Sequence, residues 1–279
     1  MFTFIETKDD LIYLNRELLQ CPQVAIDTEF RRTNKDNMKL GLLQLNDSNE
    51  IYLVDCLLIK EPYEGCTFLT SNKVTKIFHS CREDLEALHS WSKSKVSNIY
   101  DTQLANSLLG GAFSISYQGL VENKLGLNIN KKETRTNWLK RPLSEAQLNY
   151  AASDVYYLID LYELQLQEFL KTNKLEWLIE ELNFTSTEPS MKEVNRQKLI
   201  SIEKTKEKEI LHEINGIVKE ISQKEDINPT LFFSKQSQKK LLNSTMTLGI
   251  EESLDNITKW RRGLIEDSFL KILNSHEVF

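Results

Sequence analysis

The chain has 279 residues and a formal net charge of −6 at pH 7; 40% of its residues are hydrophobic and 27% are charged. This composition is typical of a globular protein, and the length suffices for one large domain or for a medium domain with a small one. The negative total excludes a protein coated uniformly in basic residues, although a local basic stripe stays compatible with nucleic-acid binding.

The sequence contains no apolar run long enough to span a bilayer, and its N-terminus lacks the basic and then apolar layout of a secretory signal. The four cysteines form no C-x-x-C pair, a pattern typical of free thiols in a reducing compartment. We therefore expect a cytoplasmic protein that makes no contact with a membrane.

The first third of the chain predicts one helix and several strands. Leucines near helical spacing in residues 8–20 predict an amphipathic helix, and the β-branched run Val24–Asp27 predicts a buried strand. Leu40–Leu45 and Ile51–Val54 predict a hairpin, because the turn between them is rich in Asn and Asp.

Two further apolar runs, Val74–Phe78 and Ile99–Tyr100, each predict a strand that leads into a helix. Asp101 is expected to cap the second of these helices. A meander of strands followed by strands that alternate with helices favours an α/β fold, with helices packed on a mixed sheet.

The remainder of the chain is predicted to be helical. Ser144 and Gln147 form a capping box, and the helix that it opens is expected to continue through Ile159. Tyr150 and Asp154, four residues apart, share one face of that helix.

A change of composition near residue 183 predicts a linker, since a helix cannot easily continue through the Thr-, Ser- and Pro-containing stretch. We therefore divide the chain into a first domain at residues 1–183, a linker with a connecting helix at 184–204, and a small helical domain at 205–279.

Four acidic residues from three segments are the candidates for chemistry: Asp27, Glu29, Asp84 and Asp154. Asp27 and Glu29 alternate on a strand and so point to one face, where their like charges call for a counter-charge such as a divalent metal. Carboxylates of this number can hold a pair of ions that clamp a phosphodiester, and Tyr150 could orient the attacking water. The Asp-x-Glu pattern by itself also fits ordinary polar residues at a strand end.

Three segments resemble the motifs of the DEDD exonuclease superfamily: Ala25–Phe30, His79–Leu85 and Tyr150–Val155. The tyrosine four residues before the last aspartate resembles the DEDDy branch. Asp101–Ala105 and Glu133–Ser144 are similar to the ribonuclease D family in particular.

This resemblance implies a ribonuclease H-like mixed sheet flanked by helices, and a 3′→5′ exoribonuclease that needs two divalent ions, Mg²⁺ or Mn²⁺, and releases nucleoside 5′-monophosphates. It implies that Asp27 bridges both ions, that Glu29 and Asp154 complete one of them, and that Asp84 holds the second. It further implies that Tyr150 positions the nucleophilic water.

The C-terminal region resembles a degenerate HRDC domain, the helical module that follows the nuclease domain in ribonuclease D. Polar and basic residues that are expected to contact RNA are Gln44, Lys131, Arg135, Arg141, Lys235, Lys239, Lys240, Arg261 and Arg262. The alternatives are a buried amide for Gln44, an exposed basic loop for the next three, and a solvated helical face for the C-terminal five.

We expect from the resemblance a monomeric enzyme that acts on free 3′ ends of RNA, tRNA precursors among them, in the processing of stable RNA. A DEDDy exonuclease that prefers DNA stays open as an alternative, as does an RNA-binding module with a vestigial nuclease site. The last alternative predicts a broken set of carboxylates, whereas all four are present.

Overall fold

The computed structural model describes residues 2–34, 37–129, 136–186 and 203–278. It divides into two compact units. The first comprises Met1–Ala105 and Ile115–Glu168, and the second comprises Asn106–Ser114 and Phe169–Phe279.

The first unit is organised on a mixed sheet, which within the described residues has six strands in the order β1-β4-β3-β2-β5-β6. The strands are β1 (Thr3–Ile5), β2 (Gln23–Asn34), β3 (Asn37–Asn46), β4 (Ile51–Asp55), β5 (Thr75–Phe78) and β6 (Ile99–Asp101). β2, β3 and β4 form the predicted antiparallel meander, while β1, β5 and β6 pair in parallel with their neighbours. The predicted α/β fold with a mixed sheet is confirmed.

Twelve helices are present among the described residues. They are α1 (Lys8–Leu18), α2 (Arg82–Ser92), α3 (Thr102–Leu108), α4 (Tyr117–Leu125), α5 (Glu145–Tyr156), α6 (Leu158–Phe169), α7 (Leu175–Ser186), α8 (Lys204–Lys224), α9 (Pro229–Phe233), α10 (Lys235–Leu248), α11 (Ile250–Asp255) and α12 (Lys259–Ser275). A 3₁₀ segment spans Pro62–Thr70. None of these helices is both long and apolar enough to cross a bilayer.

The core of the first unit forms because both faces of β2 are covered. Val24, Ala25 and Ile26 are at most 1% exposed, as the continuous apolar run in the sequence predicts. Leu11 and Leu18 of α1 are fully buried in the same cluster, so the helical spacing of the leucines did indicate the packed face. This packing fixes the central strand that carries Asp-Thr-Glu.

The helix predicted to run through Ile159 is instead two helices. Its capping box is present, since the Ser144 hydroxyl accepts from the Gln147 N–H at 3.2 Å and the Gln147 side chain accepts from the Ser144 N–H at 3.0 Å. α5 nevertheless ends at Tyr156, and α6 begins at Leu158. The apolar periodicity continues across the break, so the sequence pattern did not reveal it.

The second unit is helical within the described residues and has a polar centre. The carboxylate of Glu181 on α7 accepts from the Thr258 hydroxyl at 2.8 Å, from Trp260 Nε1 at 2.7 Å and from Arg261 at 2.8 Å. The ring of Trp177 stacks on that of Trp260, with 4.9 Å between the ring centroids. These contacts join α7 to the start of α12.

α7 continues to Ser186, past the predicted start of the linker at residue 184. Residues 187–202 of that linker lie outside the described residues. The division into domains, and the HRDC-like character of residues 205–279, stay predictions.

Candidate active site

Three of the four predicted carboxylates come together in the first unit. One oxygen each of Asp27, Glu29 and Asp154 lies within 4.8 Å of the others, close enough to hold one metal ion. Asp27 and Glu29 alternate along β2, and Asp154 arrives on α5, which packs on β2 and β3. The cluster therefore joins one strand and one helix that are distant in the sequence, since Asp154 lies 125 positions after Glu29.

The fourth carboxylate, Asp84, lies in the first turn of α2 and is 8% exposed. The Thr28 hydroxyl donates a hydrogen bond to its Oδ1, which ties Asp84 to the strand between the two other acids. The turn before α2 is fixed by Asp101, whose carboxylate accepts from the N–H of Ser80 at 3.1 Å and of Cys81 at 2.8 Å. Asp101 thus positions the start of α2.

Asp101 also has the capping role that the sequence predicts. Its Oδ1 accepts from the backbone N–H of Gln103 at 2.9 Å and of Leu104 at 3.1 Å, in the first turn of α3. These bonds use the carboxylate for backbone donors, and Asp101 does not join the acidic cluster.

Within the part of the chain that the structure describes, no basic side chain lowers the pKa of the clustered carboxylates. Burial is the largest cause that raises the pKa of Glu29 to about 9, and repulsion from Asp27 and Asp154 adds to it. Burial likewise raises the pKa of Asp154 to about 7, and the pKa values of Asp27 and Asp84 lie well above their usual range for the same reason. A bound cation would reverse these shifts.

The donor set also fits a hard divalent cation. Among the described residues, Asp154 Oδ1 is buried and has no hydrogen-bond partner, so one lone-pair direction is left for another ligand. Carboxylate oxygens are the ligands that Mg²⁺ and Mn²⁺ prefer. Asp27, Glu29 and Asp154 could hold one such ion, and Asp84 lies where it could contribute to a second.

Tyr150 lies beside the acidic cluster, one helical turn before Asp154. Its hydroxyl hydrogen bonds to the Asp154 carboxylate. The centroid of its ring lies 6.1 Å from that of the Trp138 ring. Burial, with the neighbouring carboxylates, raises the pKa of Tyr150 above its usual value, so the phenol stays protonated. A neutral phenol at this position can donate to, or accept from, a water molecule.

Arg141, which is predicted to contact RNA, has internal partners in this structure. Its guanidinium forms a bidentate ion pair with Asp55, whose side chain is 1% exposed, and donates to the carbonyls of Trp138 and Gly41 at 2.8 Å each. Gly41 permits this close approach, because a Cβ there would lie 2.6 Å from the Trp138 carbonyl oxygen. The clamp holds Trp138 against Tyr150.

Gln44 is also misplaced for contact with RNA. It pairs with Asp27 across β2 and β3 and is 0% exposed, so no substrate can reach it in this structure. Neither of its amide atoms has a partner among the described residues. Lys131 and Arg135 lie outside the described residues.

The five basic residues predicted in the C-terminal region behave differently from one another. Lys235, Lys239 and Lys240, here called the α10 lysines, are exposed on one helix, and Lys239 forms an ion pair with Glu207 at 3.5 Å. Arg261 instead forms an ion pair with Glu181, and Arg262 forms ion pairs with three carboxylates of its own unit. Both arginines are thus paired with carboxylates of the protein, and the role of the five residues in binding RNA stays a prediction.

The acidic cluster opens into a cavity of about 270 Å³, whose walls include residues that sequence reasoning missed. Among them are Tyr117 and Gln118 at the start of α4. His79 also lines the cavity, but its ring nitrogens are engaged by the Thr102 hydroxyl and the Ile115 carbonyl, each at 2.9 Å. The only sequence signal near Tyr117 is Ser116, which caps α4 and says nothing about the site.

Comparisons with known proteins agree with this geometry. A family described as 3′-5′ exonuclease matches residues 2–171. The ribonuclease D of Shewanella sp. (strain ANA-3) is 39% identical over 182 residues, which are 65% of this chain and 47% of that protein. The chain thus spans less than half the length of this relative.

Two solved structures resemble the fold. Escherichia coli RNase D, described as an exoribonuclease involved in structured RNA processing, has a TM-score of 0.64 and 23% identity, and the match covers 100% of this chain and 76% of that one. Brucella melitensis NrnC with bound Mg²⁺ has a TM-score of 0.56 and 23% identity, covering 67% of this chain and 90% of that one.

Proposed function

The chain belongs to the 3′-5′ exonuclease family, and from this premise we propose that it is a metal-dependent 3′→5′ exoribonuclease similar to ribonuclease D. The observation that carries the proposal is the cluster of Asp27, Glu29 and Asp154, with Tyr150 beside it and Asp84 next to it. The cluster joins the carboxylates of the first and third exonuclease motifs, and Asp84 of the second motif is tied to the same strand by the hydrogen bond from Thr28.

We propose that Asp27, Glu29 and Asp154 hold one divalent ion and that Asp84, together with Asp27, holds a second. When bound, such ions supply the positive charge that stabilises the attacking and leaving oxygens of a phosphodiester. Mg²⁺ and Mn²⁺ both suit this all-oxygen set.

The reaction we propose is hydrolysis of the 3′-terminal phosphodiester. The oxygen of a water molecule bonds to the phosphorus as the bond to the preceding 3′ oxygen breaks, that oxygen takes one proton and leaves as a hydroxyl, the other water proton passes to solvent, and a nucleoside 5′-monophosphate is released. Tyr150 keeps its proton, so its role is to orient the water by hydrogen bonding rather than to remove the proton. Trp138 holds the Tyr150 ring in place.

We propose RNA with a free 3′ end as the substrate, tRNA precursors among them, and a monomeric cytoplasmic enzyme. We propose a nuclease domain at 1–183, a linker at 184–204 and an HRDC-like domain at 205–279. The α10 lysines support a role of this last domain in binding RNA. Their exposed ammonium groups suit phosphates.

The test is digestion of a 5′-labelled RNA that has a single-stranded 3′ tail, with Mg²⁺ or Mn²⁺ and with EDTA. Asp27→Asn removes one charge from the cluster, and Glu122→Gln makes the matched change at an exposed position on α4 of the same unit. We expect a ladder that shortens from the 3′ end for the wild type and for Glu122→Gln, and none for Asp27→Asn or with EDTA. If the wild type is as inert as Asp27→Asn while RNA still binds, the vestigial-site alternative replaces the proposal; degradation of DNA alone would favour the DNA alternative.

A further inference from the structure

The interruption between α5 and α6 lies immediately after the acidic cluster. α5 ends at Tyr156, two residues after Asp154, and α6 begins at Leu158. The residue between them, Tyr157, has φ −100° and ψ 6°, outside the helical region. Sharp interruptions of this kind arise where a proline, a bulge or an inserted group opens the helical hydrogen-bond ladder.

The inserted group is the hydroxyl of Tyr117. In an unbroken helix the N–H of Tyr157 would donate to the carbonyl of Ser153. Here Tyr117 Oη donates to the Ser153 carbonyl at 3.1 Å and accepts from the Tyr157 N–H at 3.0 Å. One phenol thus bridges the two groups that would otherwise bond each other.

A second side chain supports the interruption from the end of β3. Asn46 Nδ2 lies within hydrogen-bond distance of the carbonyls of Val155 at 3.1 Å and of Tyr156 at 3.2 Å. Asn46 and Tyr117 are each 7% exposed, so these bonds are shielded from water. The interruption is therefore fixed by buried side chains on both sides and is not fraying of a helix end.

The position of the bridge connects it to the chemistry. The Ser153 carbonyl that Tyr117 binds belongs to the residue directly before Asp154, and the Tyr117 ring lines the cavity onto which Asp154 opens. We propose that Tyr117 is a positioning residue, whose hydroxyl holds the last turn of α5 in the orientation that brings Asp154 to Asp27 and Glu29. Its link to turnover rests on the proposed exoribonuclease activity, and its link to metal binding rests only on the proposed metal site.

Tyr117→Phe removes the bridging oxygen and keeps the ring. The Tyr157 N–H and the Ser153 carbonyl must then bond each other or a water, and either change reorients the turn that carries Asp154. Loss of a partner that orients a metal ligand typically lowers metal affinity or activity about 10- to 100-fold. We expect Mn²⁺ affinity to fall by about tenfold or more and kcat to fall similarly, with KM for RNA within about twofold of the wild type.

Tyr100→Phe is the matched control. Tyr100 is 5% exposed, and its hydroxyl donates to the Gln165 side chain at 3.3 Å; neither residue is among those that line the cavity at the acidic cluster. This variant also loses a buried phenolic hydrogen bond in the same unit, so it measures the general effect of such a loss. We expect its Mn²⁺ affinity and kcat to match those of the wild type.

The experiment is a calorimetric Mn²⁺ titration of the full chain, with kcat and KM measured on the same preparations. Weakened binding in Tyr117→Phe alone supports the proposal, and equal binding and turnover in the two variants overturns it. If no preparation cleaves RNA, the proposed function fails, but the Mn²⁺ titration still decides the role of Tyr117. If Tyr117→Phe does not fold, Asn46→Ala opens the same interruption from the other side, and wild-type Mn²⁺ affinity in that variant overturns the proposal.

Discussion

Replacing Asp154 with Asn should stabilise the metal-free protein by an amount that increases with pH. Burial raises the pKa of Asp154 from 3.8 to about 7, and the hydrogen bond from Tyr150 lowers it only in part. The folded protein therefore favours the protonated carboxyl more than the unfolded chain does. The resulting stability is fully present below the unfolded pKa and is lost as pH rises through the folded pKa, whereas an amide loses nothing over this range.

The size of the effect follows from the shift. One pKa unit corresponds to about 1.4 kcal/mol, so a rise from 3.8 to about 7 corresponds to roughly 4 kcal/mol of wild-type stability lost above the folded pKa. For a protein of this size, that free energy corresponds to about 10 °C in the unfolding temperature. The pKa of Glu29 is raised to about 9, so this residue causes a further loss of stability at higher pH in both the wild type and Asp154→Asn.

The assay is urea or thermal unfolding in EDTA at several values between about pH 3 and about pH 8, a range that includes the unfolded pKa of 3.8 and the folded pKa of about 7. We expect the stabilities of Asp154→Asn and the wild type to converge at the acidic end, to diverge between these two pKa values and to differ by a constant amount above the higher one, while Glu122→Gln follows the wild type throughout. Added Mn²⁺ should stabilise the wild type far more than Asp154→Asn. Parallel curves for the wild type and Asp154→Asn at every pH would refute the reasoning.

Three further predictions concern the other parts of the account. Arg141→Ala leaves the Asp55 carboxylate buried without its partner and should lower the free energy of unfolding by about 3 kcal/mol in urea titrations; an unchanged value would show that the clamp is dispensable. Tyr150→Phe should lower kcat about 100-fold with little change in KM, as for loss of a group that orients the reacting water, and an unaltered kcat in steady-state assays would remove Tyr150 from the mechanism. Changing the α10 lysines to Ala should weaken RNA binding and reduce its salt-dependence slope by about 2; anisotropy titrations with the wild-type slope would exclude them from the interface.

The sequence predicted the parts of the fold that depend on local pattern. The leucines of α1 and the run Val24–Ile26 indicate their buried faces, because burial repeats with the period of each element. The Ser144 capping box and the Asp101 cap follow from side chains that bond backbone groups two or three residues away. For both caps the partner lies nearby in the chain, and for the buried faces the period alone suffices.

The carboxylate cluster was predictable for a different reason. Asp27 and Glu29 share a face because a strand alternates, and the order of the three motifs indicates that Asp84 and Asp154 belong to the same site. The resemblance to a known family thus supplied long-range information that periodicity does not contain. Their geometry then followed from the packing of α5 on the central sheet.

The contacts that the sequence did not reveal belong to side chains whose partners are distant in sequence. Arg141 resembles an exposed phosphate contact until Asp55, which lies 86 positions earlier, is brought beside it. Gln44 is buried because its strand pairs it with Asp27, and Tyr117 reaches Ser153 across 36 positions. No local pattern encodes such contacts, since they arise only when the sheet and α5 have assembled.

The measurement that tests the central claim most directly is identification of the product of RNA digestion in water enriched in heavy oxygen, with Mn²⁺ present. The account predicts nucleoside 5′-monophosphates, each with one heavy oxygen on its phosphate, released in order from the 3′ end by the wild type and by Glu122→Gln. It predicts none from Asp27→Asn, because that variant lacks a carboxylate of the acidic cluster. Nucleoside 3′-monophosphates, internal fragments, or undiminished release by Asp27→Asn would contradict the assignment of the chemistry to this cluster.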